Sequence, residues 1–298
     1  MSNAITSCGN LSSLSADNIC PACGKLATAM VLPHPACQIL RCTDCNIALT
    51  IPKSFITTSS YDSNPDLAAG YERGEADGFR YSNLILDSLG HYVPKGKLLD
   101  VGCSIGTLVH AAQHRGYESQ GIDLDGNAIG HGVAKGRPIA KSSVGEWPVS
   151  DYDALVLQHT LEHVPEPVAF LKQCVARLES GGVVIASVPC YCGLLPKLFG
   201  HRWYGWQLNQ HYFHYSKSGL RKVFELSGLT VLRAFTNSMD HSIRPGNIHG
   251  IKQWILTVAA FVLARVGSLL GRGDQLMVIG RKTISASTDS RLIANGVR

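Results

Sequence analysis

The sequence predicts a doubly wound α/β protein with a mostly parallel sheet and a small cysteine-rich module near its N-terminus. Two observations predict the sheet. Short apolar segments such as "KLLDV" (97–101) and "VVIASV" (183–188) alternate with segments of helical periodicity. These apolar runs are nearly continuous, which is typical of strands buried on both faces of a parallel sheet. A third observation, two Cys-x-x-Cys pairs in the first part of the chain, predicts the module.

The predicted elements follow one another in a regular order. Helices are expected at 78–92, 107–116, 167–182 and 217–227. Gly116 ends the second of these helices, and Pro167 occupies the first turn of the third. Strands are expected at 97–101, 119–123, 153–158, 183–188, 229–235 and 275–281, with a weaker candidate near Ile139.

Length and composition fit one large domain with a small addition. The chain has 298 residues, of which 45% are apolar and 16% charged, enough to bury a core. We expect a flexible N-terminus at 1–17, the cysteine module at 18–52, a linker with capping helices at 53–95, the main domain at 96–285 and a flexible tail at 286–298. The first residues show no secretory signal, so a cytoplasmic location is expected.

The turn after the first predicted strand indicates a ligand site. Gly102 and Gly106 allow a sharp turn and a close approach of the backbone to a ligand. The following helix directs its free amides into the same space. Asp100 ends the strand, where it can accept hydrogen bonds from an amine, and Asp123 ends the next strand, where an acid can bind both ribose hydroxyls. Because Asp100 would repel a pyrophosphate, the pattern favours a ligand with a cationic amino-acid part and a ribose, such as S-adenosylmethionine.

Four segments together resemble class I S-adenosylmethionine-dependent methyltransferases, in the branch of the ubiquinone-type O-methyltransferases. They are "LLDVGCSIG" with Ser104 where glycine is commoner, "GIDLD", "YDALVLQHTLEHVPEP" (152–167) and "LESGGVVIASVP" (178–189). The resemblance spans about residues 80–285 and implies a Rossmann-like, seven-stranded sheet. The expected cofactor-binding residues are Asp100, Gly102, Ser104, Gly106, Asp123, Leu124, Gln158 and His159. The family often has an Asp after its third strand; here backbone amides around Val144, or Glu146, are expected to replace it at the adenine.

The paired cysteines predict a structural zinc site. Cys20 and Cys23 form one Cys-x-x-Cys knuckle, and Cys42 and Cys45 form the second, eighteen residues later. Four thiolates suit tetrahedral Zn²⁺ and leave no open position for catalysis. Two reduced cysteine pairs in a small core are the alternative. Similar methyltransferases often carry such an N-terminal zinc ribbon, and its expected role is to brace the fold and to wall one side of the substrate pocket.

Histidines near the predicted strand ends supply candidates for a general base. A hydroxyl acceptor must lose a proton during methyl transfer, and histidine is the usual base near neutral pH. His211 is the first candidate, because "WYGWQLNQHYFHYS" (203–216) resembles an element that lies over the active site in the same branch. His214 and His159 are the next candidates, whereas His163 is expected to pack or to cap a helix.

An apolar run, "WILTVAAFVLA" (254–264), is too short to span a bilayer. It predicts a buried or capping helix, with an interfacial helix as the alternative, so that 251–270 is a candidate for peripheral membrane contact.

The sequence therefore predicts an enzyme that transfers a methyl group from S-adenosylmethionine to a small-molecule acceptor, at oxygen. Sugars, polyketide-like scaffolds and lipid-linked precursors all stay open as acceptors. An RNA methyltransferase that uses the zinc ribbon to bind nucleic acid is one alternative. The net charge is only +5, however, and the sequence contains no basic stripe. A non-catalytic scaffold that keeps the cofactor fold is the other. The oligomeric state is not predicted.

Overall fold

The structure is a computed structural model, and it describes residues 18–34, 36–55, 70, 72–148, 151–238 and 251–283. The segments expected to be flexible, 1–17 and 286–298, lie outside the described residues, as does part of the expected linker. Seven helices are described: α1 (Glu75–Gly90), α2 (Thr107–His114), α3 (Gly126–Ala134), α4 (Pro167–Ala176), α5 (Leu194–Phe199), α6 (Lys217–Leu226) and α7 (Ile251–Leu269). The strands before the main sheet are β1 (Ala29–Pro33), β2 (Gln38–Arg41) and β3 (Ile47–Ile51).

The central sheet confirms the predicted fold class. Its strands are β4 (Lys97–Val101), β5 (Glu118–Asp123), β6 (Ile139–Lys141), β7 (Tyr152–Gln158), β8 (Leu178–Pro189), β10 (Leu229–Asn237) and β11 (Gln275–Lys282). They lie in the order β10-β11-β8-β7-β4-β5-β6. The pairs from β6 to β8 are parallel, while β11 runs antiparallel to both of its neighbours. The carboxyl ends of β4, β5 and β7 therefore meet at one edge, where open parallel sheets bind ligands.

Side chains from alternate strand positions form two separate cores, one on each face of this sheet. Leu98, Val156 and Ile185 pack against α1 and α2 on one face. Leu99, Leu157 and Val184 pack on the other face, against α4 and α6. This alternation follows from the two-residue period of a strand. It explains why the central strands are apolar at nearly every position.

A second, four-stranded sheet joins the cysteine module to the rest of the chain. Its order is β1-β2-β3-β9, where β9 is the short strand Phe213–Tyr215. β3 pairs antiparallel with β9, so Ile47 faces Tyr215 and Leu49 faces Phe213. Ile47 and Leu49 belong to the same core cluster as Leu99, Leu157 and Val184 on the second face of the main sheet. The module is thus packed as part of the larger core.

The predicted helix 167–182 is too long. The helix α4 ends at Ala176, and β8 begins at Leu178. The glycines that were expected to follow the helix lie inside the strand: the register with β7 jumps from Tyr152↔Leu178 to Ala154↔Val183. Gly181 has a φ of +82° at this irregularity, a conformation that glycine adopts without strain. The Gly pair therefore marks a bulge in a strand.

The apolar run 254–264 lies within α7, as a helix was predicted there. In the described part of the chain, no helix combines the length and the apolar character that a bilayer span requires. Six large apolar side chains in this helix and just beyond it are nevertheless exposed: Val258, Phe261, Val262, Val266, Leu269 and Leu270.

Candidate active site

The loop between β4 and α2 is built from residues with a left-handed backbone. Gly102, Ser104 and Gly106 have φ values of +82°, +50° and +75°. A Cβ on Gly102 would lie 2.5 Å from Thr160 Oγ1, and a Cβ on Gly106 would lie 2.9 Å from Ile139 Cγ2. Both positions thus require glycine, because the backbone is left-handed and closely approached there. The loop leaves an open turn directly before the first amides of α2.

Asp100 presents a carboxylate oxygen without a partner to this loop. The residue is 2% exposed, and its Oδ1 is a buried acceptor with no hydrogen bond among the described residues. Burial, and then the nearby carboxylate of Asp123, raises the pKa of Asp100 to about 8. The buried Ser104 Oγ likewise has no partner in the described chain. A ligand that brings a positive charge and hydrogen-bond donors fits these groups, because such a ligand would supply what the protein leaves unpaired.

Asp123 shapes the other side of the same loop. Its Oδ2 accepts a hydrogen bond of 2.7 Å from the Ser104 amide, and its Oδ1 accepts one of 2.9 Å from the Asp125 amide. Burial raises the pKa of Asp123. Each carboxylate oxygen retains a further lone pair, so the group can still accept hydrogen bonds from a diol. Leu124, the next residue, is exposed beside it.

Gln158 and His159 lie at the carboxyl end of β7, as predicted. His159 has a φ of +54°, and its Nδ1 lies 3.2 Å from Glu162 Oε1. The next residue, Thr160, donates a hydrogen bond of 2.9 Å to the Val101 carbonyl, which ties this turn to the end of β4. Gln158 Oε1 accepts a long hydrogen bond of 3.4 Å from Ser82. The structure thus brings His159 next to the glycine loop.

His211 and His214 lie deeper than His159. His211 is 1% exposed, and burial, followed by the neighbouring His163, holds its pKa well below the ordinary value. Burial lowers the pKa of His214 to about 3. The Thr50 hydroxyl donates to the His211 carbonyl at 2.7 Å, so His214 Nε2 must donate to that hydroxyl at 3.0 Å. His214 therefore connects β9 to β3.

Sequence reasoning missed Glu162. This acid is 1% exposed, contacts His159 through Oε1, and has a buried Oε2 without a partner among the described residues. Its neighbours His163 and His211 have ring centroids 4.6 Å apart. The available signal was the acid in "TLEHV", which lies next to Leu161 and close to Val164. An acid in such an apolar segment can be buried, and a buried acid needs a partner.

The region expected to contact the adenine lies just beyond β6. Val144 is buried, and Glu146 is exposed. Glu146 Oε2 accepts a hydrogen bond of 2.7 Å from Ser143 Oγ. This contact lowers the pKa of Glu146.

The four paired cysteines converge as the sequence predicted. The sulfur atoms of Cys20, Cys23, Cys42 and Cys45 all lie within 4.8 Å of one another. Each pair is closed by a backbone hydrogen bond, from Gly24 to Cys20 and from Asn46 to Cys42. Four sulfur donors around one point are compatible with a tetrahedral zinc module. The spare Cys37 lies apart from them, with Sγ 3.7 Å from His34 Nδ1.

Comparison with known proteins agrees with this geometry. The sequence profile of the family described as "Methyltransferase domain" matches residues 79–234, just over half of the chain. A ubiquinone biosynthesis O-methyltransferase from Idiomarina loihiensis is 33% identical over 100 residues, which are 30% of this chain and 41% of that protein. Its counterpart from Burkholderia vietnamiensis is 32% identical over 111 residues, 34% of this chain and 47% of that protein. The chain thus matches less than half the length of these relatives.

Two solved structures share the fold at low sequence identity. One is a methyltransferase from Haloferax volcanii in complex with the methyltransferase activator Trm112, with a TM-score of 0.59 and 17% identity over 76% of this chain and 98% of that one. The other is an S-adenosylmethionine-dependent methyltransferase from Thermotoga maritima, with a TM-score of 0.53 and 16% identity over 74% of this chain and 97% of that one. The glycine loop, the unpartnered Asp100 and the family match agree, and the chain belongs to the methyltransferase domain family, among the class I S-adenosylmethionine-dependent methyltransferases.

Proposed function

We propose that this protein transfers a methyl group from S-adenosylmethionine to an oxygen of a small-molecule acceptor. The observation that carries the proposal is the buried Asp100 beside the left-handed glycine loop, whose Oδ1 has no hydrogen bond among the described residues. Asp100 and Ser104 would hold the amino-acid part of the cofactor, and Asp123 the ribose. Leu124 and Gln158 would line the cofactor site, and the amides near Val144 would meet the adenine. The cofactor supplies an activated methyl group on a sulfonium.

We assign the role of general base to His159, in preference to His211 and His214. His159 keeps 30% of its side chain exposed at the sheet edge where the cofactor loop lies, whereas His211 and His214 are almost fully buried. Because a carboxylate only accepts hydrogen bonds, Glu162 Oε1 holds the proton on His159 Nδ1 and leaves Nε2 as the basic nitrogen. A positioned base next to an oriented acceptor is what methyl transfer to a hydroxyl needs.

The assignment is tested by binding and turnover together. S-adenosylmethionine and NAD are titrated separately by calorimetry. Labelled methyl transfer is then measured on hydroxylated acceptors, beginning with hydroxylated precursors of ubiquinone, because the named relatives are ubiquinone biosynthesis O-methyltransferases. We expect binding of S-adenosylmethionine alone. His159→Gln should keep this binding and lose roughly 10²–10⁴-fold in turnover. His91→Gln, which changes an exposed histidine just after α1, is the matched control.

Three outcomes would contradict the proposed activity, and a fourth would contradict the role of His159. NAD binding in place of S-adenosylmethionine would mean that the glycine loop serves another ligand. Cofactor binding without turnover on any acceptor would favour a scaffold. Methylation of RNA in a salt-sensitive manner would favour a nucleic-acid substrate, because phosphate contacts weaken steeply with salt. A His159→Gln variant within a few-fold of the wild type would remove His159 from the mechanism.

We also propose that the four-cysteine cluster holds one structural Zn²⁺. Its sulfur atoms converge, and Cys20, Cys42 and Cys45 are buried within or beside the sheet formed by β1, β2, β3 and β9. The expected role is to hold β3 in place, and with it β9 and the turn that carries His211. Elemental analysis of purified protein should find zinc bound by this cluster, and a Cys42→Ser variant should lose it. Protein that folds normally with no metal in the cluster would contradict the assignment.

The exposed face of α7 supports one further proposal about partners: peripheral contact with an anionic membrane. Between residues 180 and 273 the sequence contains ten basic residues and two acidic ones. Basic Arg265 and Arg272 are exposed beside the apolar face, and Lys197 and Leu198 are exposed on α5, which packs against α7. Apolar side chains rimmed by basic ones suit an interfacial helix on anionic lipid.

Vesicle flotation tests this contact. We expect the protein to float with vesicles that contain phosphatidylglycerol and to remain behind with pure phosphatidylcholine. A Phe261→Asp variant should float less, while Arg80→Gln, which neutralises an exposed base on α1, should float like the wild type. If flotation depends neither on the charge of the lipid nor on Phe261, the exposed face of α7 is not the membrane contact.

A further inference from the structure

Three side chains beneath His159 form a buried cluster that methyl transfer by itself does not explain. Glu162 and His163 come from the short 3₁₀ turn Leu161–His163, and His211 comes from the segment before β9. One ligand atom from each residue lies within 4.8 Å of the other two. Glu162 and His211 are each 1% exposed. This group is separate from the four cysteines and is made of different ligand atoms.

Each of the two imidazoles has a hydrogen bond to a backbone group outside this cluster. His163 Nδ1 lies 3.2 Å from the Gln210 carbonyl, and since a carbonyl only accepts, Nδ1 carries the proton and Nε2 does not. His211 has its hydrogen bond to the backbone of Gly205, while its Nδ1 is buried without a partner among the described residues. Histidines that ligate metals usually donate their other ring nitrogen to a backbone carbonyl or a carboxylate in this way.

Glu162 contributes the negative charge. Its Oε1 faces His159 Nδ1, and its Oε2 is buried with no partner in the described chain. Leaving a buried carboxylate oxygen and a buried imidazole nitrogen both unpaired costs free energy for each group. The two residues each have a ligand atom within 4.8 Å of the other. A carboxylate and an unprotonated imidazole nitrogen cannot hydrogen-bond to each other, because neither carries a proton. A cation between them satisfies both.

We infer that Glu162, His163 and His211 form a second metal site, which binds a divalent first-row transition ion. The ligand atoms are Glu162 Oε2, His163 Nε2 and His211 Nδ1. Two imidazoles and one carboxylate suit Zn²⁺, Mn²⁺ or Fe²⁺ better than Mg²⁺, which prefers oxygen ligands. Three protein ligands leave positions open for another group, unlike the four-cysteine site.

The ion would act through the proposed base, and this part of the inference rests on the proposed methyl transfer. Glu162 and His211 are each 1% exposed, so the ion would not reach the acceptor itself. Glu162 connects the cluster to His159, whose Nδ1 lies 3.2 Å from Oε1. An ion on Oε2 would fix this carboxylate, which would keep the proton on Nδ1 and leave Nε2 to take the proton of the acceptor hydroxyl. The acceptor oxygen would then bond to the methyl carbon while the carbon–sulfur bond breaks with its electron pair on sulfur, giving the methyl ether and S-adenosylhomocysteine.

Cobalt substitution distinguishes this site from the four cysteines. Metal is removed with a chelator from the whole 298-residue chain, and Co²⁺ is titrated back while the absorption spectrum is recorded. We expect two equivalents to bind. One should give the intense sulfur-to-cobalt charge-transfer bands of a thiolate site, and the other only weak visible bands from nitrogen and oxygen ligands. Glu162→Gln and His211→Gln should each lose the second signal and keep the first. Cys42→Ser should disturb the first.

The controls separate a lost site from a lost fold. His91→Gln, at an exposed position just after α1, should bind both equivalents, and all variants should retain binding of S-adenosylmethionine. Elemental analysis of the protein as purified gives an independent count. A single equivalent that Glu162→Gln and His211→Gln leave unchanged would overturn the inference and would indicate ordered water in the cluster. Because the number and the spectrum of bound Co²⁺ ions are measured without turnover, this result tests the metal site independently of the proposed activity.

Discussion

Replacing Asp100 with Asn should make the ligand-free protein more stable at alkaline pH and weaken its binding of S-adenosylmethionine. Asp100 is 2% exposed, and burial followed by the charge of Asp123 raises its pKa from 3.8 to about 8. The folded state therefore keeps the proton that the unfolded chain releases near pH 4. At about 1.36 kcal/mol for each pH unit, the difference between the two values amounts to roughly 6 kcal/mol.

The sign of the pH dependence follows from this raised value. Between about pH 4 and pH 8 the folded state binds more protons at this site than the unfolded state, so the free energy of unfolding falls as the pH rises. The contribution is fully present below pH 4 and is lost once the pH exceeds 8. Asn at position 100 does not titrate. From pH 5 to pH 8, the wild type should therefore lose about 4 kcal/mol relative to Asp100→Asn.

Urea unfolding monitored by tryptophan fluorescence, at pH 5, 6, 7 and 8, measures this difference. Asp87→Asn, which changes an exposed carboxylate on α1, is the control and should follow the wild type. Calorimetry should show that Asp100→Asn binds S-adenosylmethionine about 10–150-fold more weakly, the loss expected for one hydrogen bond to a charged group. The reasoning fails if the relative stability changes by less than about 1 kcal/mol, or if the variant binds the cofactor within three-fold of the wild type.

Three further changes test other parts of the fold. Gly106→Ala should lower the free energy of unfolding by about 1–2 kcal/mol in a urea titration, because φ is +75° there. Gly136→Ala is the matched control: its φ is +74°, but no atom lies near the added Cβ, so the difference between the two variants measures the contact with Ile139. Cys42→Ser, or removal of metal from the cysteine cluster, should lower Tm by roughly 10 °C, since structural zinc contributes folding energy directly, and an unchanged Tm would argue against a structural role. Thr50→Val should cost about 1–3 kcal/mol in the same titration, because the His211 carbonyl and His214 Nε2 lose their shared partner, whereas Thr283→Val at an exposed hydroxyl should change little.

The sequence by itself determined the parts of the protein whose signal is local. Strand runs such as 97–101 are apolar because both faces of the sheet are covered, and this pattern is visible without knowing the neighbours. The glycine loop was also predictable, since Gly102 and Gly106 mark a left-handed turn that few other residues adopt. The cysteine pairs were predictable for a similar reason, because a knuckle brings its own two sulfur atoms together.

Only the tertiary structure decided how distant segments combine. Nothing in the apolar pattern indicated that β9 would complete the sheet of the cysteine module, because a strand of three residues carries almost no periodicity. The sequence predicts the end of a helix near Gly181, but the structure has a bulge in a strand there. A glycine pair indicates that a regular element is interrupted, but it does not indicate whether that element is a helix or a strand. Glu162 and His211 are far apart in sequence, and only folding brings a ligand atom of each within 4.8 Å of the other. Sequence composition reports whether a side chain tends to be buried, but the direction of a lone pair is fixed by the packed backbone.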